Sequence, residues 1–267
     1  MKKFFKACIT KLIFFVIFIL IIFFGFTYLI NLAQKKVAEA ADPILSIYDK
    51  VTEIGAFIYE GDKKLLTEFN IPENVKIIGR AAFEGCEKLK SINISEGVEK
   101  IGSKAFEGCS ALQSIEIPDT VTEIGIKAFE GCENLKSIKI PAGVEKIGVG
   151  AFDMCDNLKN IEVDPDNKYY TALGNVLFNK SMTKLIKCSP LLEGKYDIPE
   201  TVQVIDDAAF EGCRKLNSIK VPDSVTDLGA KAFEGCENLK SLEMSEKLSE
   251  KIDTIKSYLP ENCKIFK

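Results

Sequence analysis

The sequence predicts an α/β solenoid, a right-handed superhelix of 23-residue coils with short parallel strands and short helical turns, preceded by one transmembrane helix. Three observations carry this expectation. The segment AFEGC, or a close variant of it, returns at a fixed interval, each interval repeats one set of apolar positions, and an unbroken apolar run precedes the first repeat. Phe83, Phe106, Phe129 and Phe152 stand 23 residues apart, and Phe210 and Phe233 keep the same spacing. Cys86, Cys109, Cys132, Cys155, Cys213 and Cys236 each follow three positions after the Phe, and KAFEGCENLKS occurs unchanged at 127–137 and 231–241. Self-similarity at this period marks units that bury their apolar face only by stacking on one another.

Along the chain, residues 1–11 form a basic flank with Lys2, Lys3, Lys6 and Lys11. Residues 12–30, LIFFVIFILIIFFGFTYLI, are a nearly uninterrupted apolar stretch of 19 positions. A helix of that length reaches about the 30 Å of a hydrocarbon core. The positive excess on the short N-terminal flank predicts the N-terminus inside and the remainder outside. A cleaved signal ending near Ala40 is the alternative, and both readings place the repeats outside the cytoplasm. Signal segments usually carry an apolar core of about 7–15 residues, which favours a retained signal-anchor. A spacer at 31–50 leads into the repeats.

The solenoid is predicted over 51–245. From Ala105 one unit reads A-F-E-G-C-x-x-L-x-x-I-x-I-P-x-x-V-x-x-I-G-x-x. Leu112, Ile115 and Ile117 end in period-2 spacing, which predicts a short strand, and Pro118 closes it because it cannot donate to a ladder. Val121 and Ile124 predict a second extended piece, ended at Gly125. Ala128, Phe129, Cys132 and Leu135 then fall at helical offsets, predicting one or two helical turns, too short to stand alone. At VTEIGAF (51–57) and around Leu65, Leu66 and Phe69 the unit is worn, as expected of a capping coil. The interval from Phe152 to Phe210 is 58 residues, so one coil carries an insertion. Within 164–190, Val176, Leu177 and Phe178 are expected to pair with Leu185 and Ile186 as a β-hairpin. Residues 246–267 read as a cap in which Ser245 starts an amphipathic helix bearing Leu248, Ile252 and Ile255, Pro260 ends it, and Cys263, Ile265 and Phe266 add a last strand.

The L-x-x-I-x-I-P-x-x-V-x-x-I-G-x-x-A-F-x-G-C unit resembles the BspA-type leucine-rich repeat of bacterial and some protist surface proteins. It departs from the more familiar leucine-rich repeat, since Gly97, Thr120, Gly143 and Ser224 hold the place of an asparagine ladder. The resemblance implies that the insertion is the hairpin common in this family. It also implies a protein that binds, with adhesion to host matrix proteins or other cells as the expected role and a protein ligand as partner. A structural envelope protein contacting partners in its own cell surface is the alternative.

Composition narrows the chemistry. Histidine is absent, which removes the usual general base, the common nucleophile pairs and the commonest zinc ligand. Every glycine of the repeats falls at a coil turn, so no phosphate loop appears, and no cofactor is expected. Carboxylates such as Asp164 and Asp166 leave enzymatic work as a third, weakest reading. Beyond residue 41 the chain holds 29 Lys and Arg against 38 Asp and Glu, a net charge of −9, which argues against nucleic acid as partner.

Three columns remain as candidate sites. The six periodic cysteines read as core, because free Cys packs as a small hydrophobe and parallel side-chain vectors disfavour a disulfide, while a metal site lacks a C-x-x-C pair or histidine. Cys188 and Cys263 fall outside that column and are expected to be the more reactive thiols. Cys8, on the inner flank, is a lipidation candidate. Glu84, Glu107, Glu130, Asp153, Glu211 and Glu234 form a carboxylate column. It reads either as calcium or basic-partner binding, or as carboxylates on the first turn of short helices paired with Lys104, Lys127 or Lys231. The candidate partner-binding face is the outward strand column, with Ser91, Ser114, Ser137, Asn160, Ser218 and Ser241 beside Asn93, Glu116, Lys139, Glu162, Lys220 and Glu243. Its alternating charges, like those of Lys100, Glu123 and Lys146, also suffice to hold register between stacked strands.

Overall fold

The computed structural model describes residues 52–55 and 65–266. The basic flank, the apolar run at 12–30, the spacer, the cleavage site near Ala40 and Cys8 lie outside the described residues. Among the described residues no helix is long and apolar enough to cross a membrane.

Stacked coils produce two parallel strand ladders. One joins β1 (Glu53–Ile54), β3 (Ile77–Ile78), β5 (Lys100–Ile101), β6 (Glu123–Ile124) and β8 (Lys146–Ile147), each in register with the residue 23 or 24 positions on. The other carries the outward face, with β2 (Glu68–Asn70) on β4 (Ser91–Asn93) and β7 (Ser137–Ile140) on β9 (Asn160–Val163). The expected strand at Leu112–Ile117 is reduced to a single bridge between Ser114 and Ser137, although Ile115 and Ile117 still point into the core.

The third side of each coil is not helical, so the chain is a β-solenoid with little helix. Its hydrogen bonds show why. The N–H groups of Lys104, Phe106 and Gly108 donate forward to Ile126, Ala128 and Glu130 of the next coil, while those of Ala105, Glu107 and Cys109 close back onto the residue three before. Lys104 at φ 60° and Gly108 at φ 72° sit in the left-handed region, as do Lys127 and Gly131 one coil later. Two such residues four apart are incompatible with a helical turn. The apolar offsets are therefore those of a turn that alternates between bonding itself and bonding its neighbour.

The rings of Phe83, Phe106, Phe129 and Phe152 stack 5.3–5.7 Å apart and within 6° of parallel. The cysteine thiols beside them act as donors. Those of Cys109, Cys132, Cys155 and Cys236 each donate at 3.2 Å to the carbonyl of the Phe one coil earlier. A buried carbonyl is thereby satisfied by a small, largely apolar side chain that carries a donor. Burial pushes the Cys155 thiol up to about 12, and raises Cys132 and Cys236 further, as a core role requires.

Glycine after the second strand lets the coils close. A Cβ on Gly125 would sit 2.4 Å from the Ser103 nitrogen and 2.5 Å from the Gly102 carbonyl carbon, both backbone atoms that cannot step aside. Gly125→Ala is expected to cost about 1–3 kcal/mol by forcing two coils apart. Chemical denaturation checks this, and an unchanged midpoint would mean that the stacking distance is not set here.

The insertion is larger than a hairpin. β10 (Tyr170–Leu173), β11 (Val176–Asn179) and β12 (Lys184–Cys188) form an antiparallel meander, in which the expected pairing of Phe178 with Leu185 is present. β12 then resumes the first ladder through β14 (Val204–Ile205) and β16 (Asp227–Leu228). β11 divides the interior, since Leu177 packs into the core of the preceding coils while Val176 and Phe178 pack into that of the following ones. The buried Asn167 ties the insertion back by donating to the carbonyls of Pro141 and Val144.

The C-terminal end is covered. β13 (Gly194–Asp197), β15 (Leu216–Lys220), β17 (Ser241–Glu243) and β18 (Lys264–Phe266) form the last ladder, and β18 is the expected final strand. Ser245 starts the cap, its Oγ accepting from the Lys247 N–H at 3.3 Å. The cap is a 3-10 turn over Glu246–Lys251 followed by the short helix α1 (Ile252–Lys256), with Leu248 and Ile255 buried.

Candidate protein-binding face

The outward positions of the second ladder are set by parallel register. Ser137 lies beside Asn160 and Lys139 beside Glu162 across β7 and β9, and Ser218 beside Ser241 and Lys220 beside Glu243 across β15 and β17. Each outward residue is flanked by buried Ile138, Ile161, Ile219 or Leu242, so the strand that presents it is pinned from behind. Ser241 Oγ donates to Ser218 Oγ at 2.8 Å, and Lys220 Nζ meets Glu243 Oε1 at 2.9 Å. Lys139 departs from the alternation expected of it. Its ammonium pairs with Asp164 Oδ2 at 2.9 Å, at the start of the insertion, rather than with Glu162. That hydrogen bond raises the Lys139 pKa and lowers that of Asp164. On the first ladder Lys100 pairs with Glu123 at 2.9 Å, as alternation predicts.

The face is interrupted rather than continuous. Ser91 and Asn93 pair with Glu68 and Asn70 of β2, Ser114 reaches Ser137 by its single bridge, and Glu116 is exposed outside any strand. Beyond β9 the insertion strands β10 and β11 pack against it, and β13 starts a fresh ladder. The predicted column is thus two patches, one ending at Asn160 and Glu162 and one carrying Ser218, Lys220, Ser241 and Glu243.

The carboxylate column does not rest on helix ends, because its residues lie in turns rather than helices. Its lysine pairing does hold: Lys104–Glu107, Lys127–Glu130 and Lys231–Glu234 meet at 2.9–3.0 Å, and the bond to Glu130 raises the Lys127 pKa. Among the described residues no three His, Cys, Asp or Glu side chains converge to hold a metal.

Two features escaped the sequence. Asn134, Asn157 and Asn238 donate to carbonyls of the preceding coil, Ser110, Glu133 and Arg214, at 2.7–2.8 Å, so an asparagine ladder exists one turn away from its usual place. At the usual place, Thr120 and Ser224 donate to Val98 and Val202 at 2.7 Å. The second feature is Lys187, only 4% exposed, whose ammonium reaches Asp153 Oδ1 at 2.9 Å, the Ala208 carbonyl at 2.8 Å and Glu211 Oε2 at 3.5 Å. A signal for it was present: Asp153 and Glu211 lack the lysine three residues earlier, where Gly150 and Ala208 stand. They share Lys187 instead, across the inserted coil.

A set of stacked coils that presents a pinned, polar strand face defines a repeat scaffold. The chain belongs to the BspA type leucine rich repeat region family, whose model matches residues 52–185 and 188–267 with six copies. Among solved structures, a leucine-rich repeat protein from Eubacterium ventriosum is 26% identical with a TM-score of 0.55, the match covering 68% of this chain and 61% of that one. A leucine rich cell surface protein from Faecalibacterium prausnitzii is 28% identical with a TM-score of 0.50, over 74% and 72% of the two chains. The chain thus spans about three fifths of the length of the first of these. Curated proteins give no match.

Proposed function

We propose that this chain is a surface protein whose solenoid binds a protein ligand, with adhesion to host matrix or other cells as its role and residues 12–30 as its membrane anchor. The observation that carries the reading is the outward ladder, where polar and charged side chains are exposed on strands whose alternate residues are buried. Because the buried alternate residues already fix these strands, binding orders little backbone, a preorganisation that favours affinity. The likeness to a cell surface protein supports the location. The family's repeats act as scaffolds for interaction rather than as catalysts, in keeping with this reading.

The test is binding of the full chain, in detergent, to immobilised matrix proteins and to envelope from its own cells. Saturable binding to a matrix protein supports adhesion. Binding only to its own envelope would replace that role with a structural one. The anchor is tested separately by alkaline carbonate extraction, after which the intact chain should stay with the membrane; a soluble form beginning at Ala41 would contradict it.

A further inference from the structure

Cys188 is not placed as the reactive thiol that its position outside the cysteine column suggests. It is fully buried, and its backbone N–H donates to the Ala209 carbonyl, the partner that a phenylalanine takes in an ordinary coil, as Phe106 does with Ala128. Cys188 therefore stands at the Phe position of the inserted coil, while Cys213 of the next coil stands at the Cys position. This offset matters. Same-column cysteines such as Cys132 and Cys155 run parallel and donate to two different carbonyls, Phe106 and Phe129. Cys188 and Cys213 instead converge on one acceptor, both thiols lying 3.5 Å from the Ser189 carbonyl oxygen.

We propose that Cys188 and Cys213, both free thiols in this structure, form a disulfide when the chain folds, because the two reach one carbonyl oxygen where same-column thiols reach two. The oxidant is a disulfide of another molecule, either a small-molecule disulfide or a thiol-disulfide oxidoreductase of the envelope. One thiolate attacks a sulfur of that disulfide and expels a thiolate; the second thiolate then attacks the mixed disulfide and expels the other. Two electrons pass to the oxidant, and the two cysteine protons end on its two released thiols. The bond spans the joint at which the inserted coil replaces a ring of the Phe column, close to where β11 divides the core into two clusters, and it closes a loop of the chain there. In the folded chain without the bond the Cys213 thiol is held well above its ordinary value, first by its hydrogen bond with Cys188 and then by burial. Exchange therefore belongs to folding, before the coils close, and the finished bond is shielded from reductants.

The proposal rests on the extracytoplasmic reading for its oxidant, and its test separates the two. The full chain, reduced and denatured, is refolded in detergent with mixed reduced and oxidised glutathione, then unfolded in denaturant without reductant so that its remaining thiols can be alkylated, and its peptides are mapped. A Cys188–Cys213 bond with the other seven of nine cysteines alkylated is expected. Free thiols at both positions, or a bond between same-column neighbours such as Cys132 and Cys155, would overturn it. A reductant added before refolding should lower the Tm of the natural chain and leave that of Cys188→Ala unchanged. Protein trapped with its thiols blocked directly from cells reports the compartment: a reduced pair there, alongside a bond in the refolded protein, would contradict the location and leave the pairing standing.

Discussion

Phe129→Ala should lower the stability of the solenoid by about 3–5 kcal/mol, the usual cost of emptying a buried aromatic site. The ring is fully buried and stacks on Phe106 at 5.3 Å and Phe152 at 5.7 Å, so its loss opens the interior of two interfaces at once. Set against a typical domain stability of about 5–15 kcal/mol, this is a large share. Because each coil touches only its neighbours, hydrogen exchange should quicken first in the coils around residue 129 and least in the C-terminal cap. Uniform exchange along the chain would mean that the coils are not coupled as a stack.

Lys187→Met should cost about as much, roughly 3–5 kcal/mol, because it strips a buried ion cluster of its cation. Asp153 and Glu211 are then left facing each other across the inserted coil. Burial on its own would depress the Lys187 pKa, but the charge and hydrogen bond of Asp153, with Glu211, outweigh it and hold the group above its ordinary 10.5. A raised folded pKa stabilises fully below the unfolded value and is lost as pH climbs through the folded one. The gap between natural chain and variant should therefore persist through neutral pH and narrow in strongly alkaline solution, where Lys187 loses its proton. Lys127→Met, which removes a half-exposed partner of Glu130, should shift the Tm little by comparison. Equal effects of the two substitutions would remove Lys187 from its place as a joint.

The core was legible in the sequence because one residue type recurs at each inward position. Leu112, Ile124, Phe129 and Cys132 are all fully buried, as their period requires. The pattern misled where two structures share it. Ala128, Phe129, Cys132 and Leu135 have helical offsets, yet Lys127 and Gly131 at φ 56° and 72° wind the same residues as turns, and only the glycine hinted at it. The burial of Cys188 is not readable from the repeat, because its register depends on the length of β11 and β12, which no repeat specifies. For the candidate face, the alternation of exposed and buried residues was readable along each strand. Its break at the insertion was not, since that rests on β9 facing β10 and β11 instead of β13, a contact set by three-dimensional packing.

The most direct measurement of the central claim is a paired one, ligand affinity and Tm, on the chain carrying both Lys139→Ala and Lys220→Ala. These lysines stand on the two patches of the outward face, and each is tied to one exposed or half-buried carboxylate rather than to the core. The account predicts a nearly unchanged Tm with affinity for the protein ligand reduced at least about tenfold, as expected when charged contacts near the centre of an interface are lost. Affinity equal to that of the natural chain, with the same Tm, would place the binding surface elsewhere on the solenoid and contradict it.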